Sequence, residues 1–227
     1  MNFTAGYLQS SVGKKLIMAI SGIILIGFIL GHLIGNLQVF SGPEKFNNYA
    51  KFLQSLGGLL WVARIFLLGT LLAHIISAVA LTKENKAARP IGYQNENTNV
   101  ASWSSRTMVI SGMVIAAFVI YHLLHFTIVV ADPELIPLKD NHDIFSMVVI
   151  GFQKPIVAAS YIVAVGLLCF HLNHAIFSVF QTLGINSSSM DKKIKLFSTA
   201  LSTLIFLGYA SIPVSILLNI VKPQGGM

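Results

Sequence analysis

Residues 15–39 read KLIMAISGIILIGFILGHLIGNLQV, with one lysine at the start and no acidic residue. An α-helix rises about 1.5 Å per residue, so a run of this length is long enough to cross a hydrocarbon core about 30 Å thick. The run is too long for the apolar region of a signal peptide, and it contains no small-residue cleavage site. It therefore predicts a transmembrane helix that is retained in the mature protein.

Four more apolar runs follow, and together with the first they predict an all-α integral membrane protein. The five predicted helices cover approximately residues 15–39, 58–81, 106–130, 155–183 and 196–221. Hydrophobic residues make up 55% of the 227-residue chain and charged residues only 10%, a balance that excludes an ordinary soluble domain. We expect residues 1–227 to form a single membrane domain, a bundle of five helices without an internal repeat.

Lysine and arginine are distributed unequally between the two sides of this predicted bundle. The N-terminus and the loops at 82–106 and 184–195 carry nine of the 15, whereas the segments on the opposite side carry five. Because cytoplasmic segments of membrane proteins are enriched in Lys and Arg, we predict a cytoplasmic N-terminus and a C-terminus outside. The net charge of +7 is spread over the loops, so we expect no binding to nucleic acid.

Each of the first four predicted helices carries a histidine at nearly the same depth, about 16 or 17 residues from its start, or roughly 24–26 Å at the helical rise. An ionisable side chain so deep in a bilayer is costly and marks a functional site. Alternating helix direction places His32 and His122 together at an outer level. It places His74 and His171 together at an inner level, about 15 Å away.

Two facing imidazoles at each level predict two haems stacked across the membrane. Two axial histidines fill the coordination of a haem iron, which favours electron transfer over oxygen binding. Cys169 is the only cysteine, so the chain holds no iron–sulfur cluster of its own. Glycines near the predicted ligands either let a flat macrocycle approach the backbone or serve close helix packing: Gly22, Gly27, Gly31, Gly35 and Gly69.

Five further residues are candidates for contacts to a cofactor or a quinone. His125 and His174 each follow a predicted ligand by three residues and bind a propionate, a quinone oxygen or a water, or else make structural polar contacts. Arg64 and Arg106 are expected near the outer and inner propionates, since guanidinium pairs well with carboxylate, unless they snorkel to the interface. We expect the quinone first near His125, Arg64 and the 43–57 loop, and otherwise near Ser21 and Arg106.

The motifs around these histidines resemble those of one family, the di-haem cytochrome b membrane anchor of succinate dehydrogenase and fumarate reductase, of the type with a single five-helix anchor. The likeness covers the first four helices, and the fifth matches only as an apolar span. The segments that carry it are Gly31-His32-Leu33-Ile34-Gly35-Asn36, Asn47-Asn48-Tyr49-Ala50, Ala73-His74, Tyr121-His122-Leu123-Leu124, Phe170-His171-Leu172-Asn173-His174 and the Phe-Gln-Thr-Leu-Gly run at 180–184.

This resemblance implies a multi-pass protein of the bacterial cytoplasmic membrane with two b haems. His74 and His171 would hold the haem proximal to the soluble subunits, and His32 and His122 the distal one. A flavoprotein with FAD and an iron–sulfur subunit would dock on the cytoplasmic face and carry out the succinate or fumarate chemistry. The chain itself would pass electrons to or from a membrane quinone, menaquinone or another, and a higher oligomer of the whole complex stays open.

One position departs from the family pattern. Some fumarate reductases of this type have a glutamate two residues before the ligand of the fourth helix, implicated in proton movement, whereas this chain has Cys169. No predicted helix carries a buried carboxylate, so we do not expect that proton route here.

Two other functions stay open at this point. A cytochrome b of a hydrogenase or formate dehydrogenase would keep the haems and change the partner subunits. A haem-free, proton-coupled transporter would use the deep histidines as a proton relay. The lack of buried acids, of helix-breaking Pro/Gly pairs within the spans and of a repeat argues against the transporter.

Overall fold

The computed structural model describes residues 10–88, 107–185 and 187–223, and within these ranges the secondary structure is helical with no strands. Short helical turns extend or separate the α-helices: 3-10 turns at Gln38–Ser41 and Pro133–Leu135, and a π-helical turn at Leu123–Thr127 that continues the fourth helix. The α-helices of the described ranges are α1 (Ser11–Leu37), α2 (Pro43–Ser55), α3 (Gly58–Ala87), α4 (Met108–His122), α5 (Ile136–Asp140), α6 (Ile144–Gln153), α7 (Pro155–Thr182) and α8 (Asp191–Leu217).

Five of these helices are long and apolar enough to cross a membrane, which confirms the predicted all-α fold with five candidate spans. Their ends differ from the predicted ones because hydropathy marks only the apolar part of a helix. Helix α3 continues to Ala87 through polar residues that favour helix, and α8 begins at Asp191 rather than at 196. The third span ends earlier than predicted, at Thr127, and Val129 then adopts a positive φ of 67°. The direction of the termini across the membrane stays a prediction.

The connections at one end of the bundle fold into short helices that contact each other. The side-chain oxygen of Asn47 on α2 accepts a hydrogen bond from the backbone N–H of Phe145 at 2.9 Å, and its amide donates to Asp143 at 3.1 Å. Asp143 also caps α6 by accepting from the N–H of Ser146 at 3.1 Å. We refer to this end, formed by residues 38–57 and 128–154, as the α2–α6 end.

Helix α7 lies at the centre of the bundle, where it contacts α1, α4, α6 and α8. Leu33, Leu172 and Ile205 pack together between α1, α7 and α8, and the hydroxyl of Tyr209 on α8 donates to the carbonyl of Ile29 at 2.7 Å. Helix α3 packs mainly against α1, and its remaining apolar faces are exposed, as expected of a helix bordered by lipid or by a partner. The four predicted ligands lie on four different helices: His32 on α1, His74 on α3, His122 on α4 and His171 on α7.

Candidate functional site

The outer-level histidines face each other across the bundle near the α2–α6 end. The ring centroids of His32 and His122 lie 5.9 Å apart, and the ring planes are inclined at 80°. A metal ion that binds two imidazole nitrogens at about 2 Å each sets the ring centroids roughly 6 Å apart. The spacing therefore fits two axial ligands of one iron.

The inner-level histidines, His74 on α3 and His171 on α7, are each held by a serine. The hydroxyl oxygen of Ser21 lies 3.1 Å from Nδ1 of His74, and that of Ser111 lies 3.2 Å from Nδ1 of His171. Both hydroxyls donate to a backbone carbonyl of their own helix, so each oxygen accepts from an Nδ1–H. This tautomer leaves Nε2 of both histidines free to bind a metal.

Helices α1 and α4 carry the same sequence pattern. Residues 21–32 read SGIILIGFILGH and residues 111–122 read SGMVIAAFVIYH, with Ser, Gly, Phe and His at matching places. The match is local and covers twelve residues, and the expectation that the chain has no internal repeat stays a prediction. The serine and the histidine are 11 residues apart in both, about 16 Å at the helical rise, so each helix reaches both levels.

The matching residues make matching contacts. Phe28 stacks on His32 with ring centroids 5.4 Å apart, and Phe118 stacks on His122 at 6.2 Å. Sequence analysis missed Ser111 because a single serine in an apolar helix carries no signal. A comparison of the two helices with His32 aligned to His122 would have placed Ser111 opposite Ser21, 11 residues before the histidine in both.

The glycines near the histidines serve different contacts. A Cβ at Gly22 would lie 3.6 Å from Cε1 of His74, and a Cβ at Gly112 would lie 3.5 Å from Cε1 of His171. These two glycines therefore border the inner-level rings. A Cβ at Gly35 would lie 2.7 Å from the hydroxyl oxygen of Tyr49, so Gly35 serves the packing of α2 against α1. The other three predicted glycines would contact no described atom within 4 Å: Gly27, Gly31 and Gly69.

His125 lies in the π-helical turn after His122 and is 1% exposed. Its Nδ1 is 2.9 Å from the hydroxyl oxygen of Tyr161, and the same hydroxyl is 3.3 Å from Nδ1 of His122. Tyr161 on α7 thus links a predicted ligand to the histidine that follows it. Such π-helical turns are frequent at functional sites.

A buried carboxylate lies on the other side of His125. Oδ2 of Asp132 is 3.5 Å from Nε2 of His125, longer than an ordinary hydrogen bond, and Nε2 has no hydrogen-bond partner among the described residues. Asp132 is 7% exposed and accepts from Nζ of Lys154 at 2.8 Å with each carboxylate oxygen. Lys154 also pairs with the exposed Glu134, and the hydrogen bonds that its ammonium donates to both carboxylates raise the pKa of Lys154. The sequence did not indicate the burial of Asp132, because this residue lies in a loop and outside the apolar helices.

The remaining predicted site residues lie apart from these groups or beyond the described chain. Arg64 is exposed, with its guanidinium 5.1 Å from the ring centroid of Trp61. His174 is half-buried on α7, one turn from His171. Arg106 lies outside the described residues. Their roles towards propionates or a quinone stay predictions.

The donor set decides what kind of group these histidines fit. In the described part of the chain, no three His, Cys, Asp or Glu side chains converge as ligands of a metal ion. Two imidazoles leave most of the coordination of a bare ion to solvent, whereas a porphyrin supplies the remaining nitrogens and needs only axial ligands from the protein. The outer pair has the ring spacing that two axial ligands of a haem iron need, and the inner pair has the tautomer that such ligands need.

A scan against protein-family models and searches of curated proteins and of solved structures found no match to this chain. The functional assignment accordingly depends on the histidine pairs, on their serine partners and on the resemblance carried by the motifs.

Proposed function

We propose that the chain is the di-haem membrane anchor of a succinate:quinone oxidoreductase or quinol:fumarate reductase. His32 and His122 hold the haem distal to the soluble subunits, and His74 and His171 hold the proximal one. The observation that carries the proposal is the duplicated pattern of α1 and α4. Each copy contributes an outer-level histidine and a serine that orients an inner-level histidine on a neighbouring helix.

Residues of this chain bind the haems and keep their ligands oriented. When bound, a bis-histidine haem supplies reversible one-electron exchange without an open site for oxygen. Ser21 and Ser111 hold Nδ1 of the inner ligands, so Nε2 of each imidazole would be available to an iron with little reorganisation. Tyr161 holds Nδ1 of His122 in the same way at the outer level. Two levels about 16 Å apart divide the membrane crossing into shorter electron-transfer steps.

The charge distribution supports soluble partners at the end opposite α2–α6. Exposed lysines are concentrated there, on the ends of α1, α3 and α8, and Lys14 pairs with Glu84 between α1 and α3. A basic surface steers and orients an acidic partner. We assign this end to the cytoplasm and to docking of an iron–sulfur subunit, which a flavoprotein with FAD accompanies. The exposed lysines are Lys15, Lys83, Lys86, Lys192, Lys193 and Lys195.

An apolar groove of about 490 Å³ between α4 and α7 supports a quinone site beside the outer level. Phe118 and Tyr121 line the groove, and the rings of both contact Tyr161 at 4.9 and 5.9 Å. Ligand sites of this size are mostly apolar with a few polar groups that fix orientation. We assign the groove to the isoprenoid tail of menaquinone, with the head group towards Tyr121 and Tyr161.

A haem-free, proton-coupled transporter is the second candidate, because the buried pair of His125 and Asp132 supplies an acid that the apolar spans lack. Purification of the detergent-solubilised complex decides between the two. The proposal expects two b-type haems per chain in a pyridine haemochrome assay, and co-purifying flavoprotein and iron–sulfur subunits. Protein without a Soret band would overturn it and leave the transporter.

The pairing of histidines is tested by single alanine variants. His32→Ala and His122→Ala should each remove the same haem, and His74→Ala and His171→Ala should each remove the other. His142→Ala is the control, because His142 is exposed in the loop before α6 and should leave both haems in place. Loss of different haems by two members of one pair would contradict the assignment.

A further inference from the structure

Helices α7 and α8 run antiparallel and share a line of polar side chains at the end of the bundle opposite α2–α6. The ammonium nitrogen of Lys195 lies 5.4 Å from the ring centroid of Phe177, and the amide of Asn173 donates to the hydroxyl oxygen of Thr199 at 3.1 Å. We refer to these four residues and Lys192 as the α7–α8 seam. We propose that the seam binds an anionic phospholipid, with the phosphate at the lysines and the ester groups at Asn173 and Thr199.

The two lysines of the seam have no carboxylate beside them. Lys192 precedes Lys195 by three residues, so both lie on nearly the same face of α8, and both are exposed. The ion pairs among the described residues include neither lysine, and Asp191 in the first turn of α8 is only partly exposed and pairs with neither. Two uncompensated positive charges at the end of an apolar helix favour the head group of an anionic lipid.

The start of α8 adds partial positive charge at the same place. Met190 precedes the helix and provides no side-chain cap. The N–H of Asp191 donates to the carbonyl of Ser187 at 3.0 Å, whereas the N–H groups of Lys192 and Lys193 have no acceptor among the described residues. Unpaired N–H groups at the start of a long helix attract phosphate, so they act in the same sense as the lysines.

Asn173 and Thr199 lie four residues deeper than Phe177 and Lys195, or about 6 Å at the helical rise. Thr199 is exposed although it lies in a candidate span, and its hydroxyl proton has no acceptor among the described residues. A polar group on a lipid-facing surface is costly unless it is paired. The ester carbonyls of a phospholipid lie on the apolar side of its phosphate, where one of them can accept from Thr199.

Apolar surface continues the seam towards the middle of the bundle. Phe170, one turn deeper than Asn173 on α7, is 48% exposed, and Leu196 on α8 is 72% exposed. The contact between Lys195 and Phe177 keeps the lysine stem on apolar surface while its ammonium reaches the polar border. Cations, hydrogen-bonding groups and apolar side chains therefore follow one another in the order of phosphate, esters and acyl chains in a phospholipid.

This site goes beyond the proposed function and does not depend on it, because a haem-free transporter would carry the same seam. It gives two lysines of the basic end a second role. Lys192 and Lys195 contact lipid, and docking of a soluble subunit depends on the other exposed lysines of this end, among them Lys83 and Lys86 on α3. The two roles are separable because the α7–α8 seam and the end of α3 lie on different helices.

The test uses the purified whole complex, washed free of lipid in detergent and mixed with equal amounts of dioleoyl-phosphatidylglycerol and dioleoyl-phosphatidylcholine. Native mass spectrometry counts the bound molecules of each lipid. We expect the wild type to prefer phosphatidylglycerol by about fivefold or more. Lys195→Met should lower the affinity for phosphatidylglycerol by about fivefold, or about 1 kcal/mol, and leave that for phosphatidylcholine unchanged. Thr199→Val should weaken both lipids alike, because both have ester carbonyls.

Lys193→Met is the matched control. It removes the same charge from the same turn, but it lies two residues from Lys195 and therefore on the opposite face of α8. The lipid preference of this variant should stay at the wild-type value. Lys195→Arg keeps the charge and should keep the preference, and Lys195→Gln serves if the methionine variant does not assemble.

Four results would overturn the lipid site. The first is equal binding of the two lipids by the wild type, and the second is an unchanged preference in Lys195→Met. The third is an equal loss of preference in Lys193→Met, which would indicate a diffuse charge effect. The fourth is loss of a soluble subunit or of a second copy from Lys195→Met with the lipid retained, which would assign the lysine to a protein partner. Displacement of phosphatidylglycerol by inorganic phosphate would likewise replace the lipid with a free anion.

Discussion

Replacement of Ser111 by alanine tests whether the serines orient haem ligands. The change removes the oxygen that lies 3.2 Å from Nδ1 of His171 and leaves the histidine and the backbone of α4 in place. Nδ1–H of His171 then has no acceptor at that position. The hydrogen bond that keeps the proton on Nδ1 and fixes the orientation of the ring is lost. We expect weaker binding of the proximal haem, whereas the distal haem stays bound.

The magnitude follows from the kind of contact. Loss of a hydrogen bond to the distal nitrogen of a ligating histidine lowers metal affinity about 10- to 100-fold, or about 1.4–2.8 kcal/mol. The bond from Nδ1–H makes the imidazole a stronger donor to the iron, which favours the oxidised state. If only the oxidised haem loses affinity for the protein, by tenfold, the midpoint potential of the proximal haem rises by about 59 mV.

The assay is a redox titration of the purified complex with optical detection, together with haem quantification. Ser198→Ala is the matched control, because Ser198 is a fully buried serine on α8 whose hydroxyl donates to the carbonyl of Ile194 at 2.8 Å. Its potentials and haem content should match those of the wild type. Wild-type potential and haem content in Ser111→Ala would refute the positioning role, and a change in the distal haem alone would refute the two-level arrangement.

Three further outcomes follow from contacts of the described residues. Gly112→Leu should displace the ring of His171, which a Cβ at this position would already approach to 3.5 Å, and should lower proximal haem content in a haemochrome assay; wild-type haem content would contradict this. Lys154→Met should lower the free energy of unfolding in detergent by about 1–3 kcal/mol, because Asp132 stays buried without its cation. For Asp143, burial raises the pKa, but the hydrogen bonds from Ser146 and Asn47 outweigh it, so the pKa is lowered overall. Its stabilising effect is complete above the unfolded pKa of about 3.9 and is lost as the pH falls through the folded pKa. Asp143→Asn should therefore flatten the acid limb of a thermal-stability profile, and an unchanged limb would contradict this.

The five helices and the paired depths were predictable because each depends on local sequence. The length and apolarity of a run such as residues 15–39 are read directly from the sequence, and the depth of His32 follows from its position in that run. The burial of Asp132 was not predictable, since it depends on how the loop after α4 packs against α6. The hydrogen bonds of Asn47 were not predictable either, because its partners at the start of α6 lie almost a hundred residues away in sequence.

The matching pattern of α1 and α4 relates the two histidine pairs to one another, and it also shows where the two helices differ. His32 and His122 occupy equivalent places in the two copies, so the outer pair joins equivalent residues. The place three residues later is Gly35 in the first copy and His125 in the second. His125, with its contacts to Tyr161 and Asp132, therefore has no counterpart in α1, where Gly35 lies against Tyr49.

Equivalence of the two serines leads to a last prediction. Ser21 and Ser111 hold opposite ligands of one proposed iron, so Ser21→Ala should affect the proximal haem by about as much as Ser111→Ala. Once one ligand is released, the iron loses most of its bis-histidine binding, so the second loss costs less. The double variant should therefore weaken the haem by less than the two single effects together, a coupling of the kind found for groups that share a partner. Full additivity, measured as haem retention during titration with a haem-scavenging protein, would show that the serines act on separate sites.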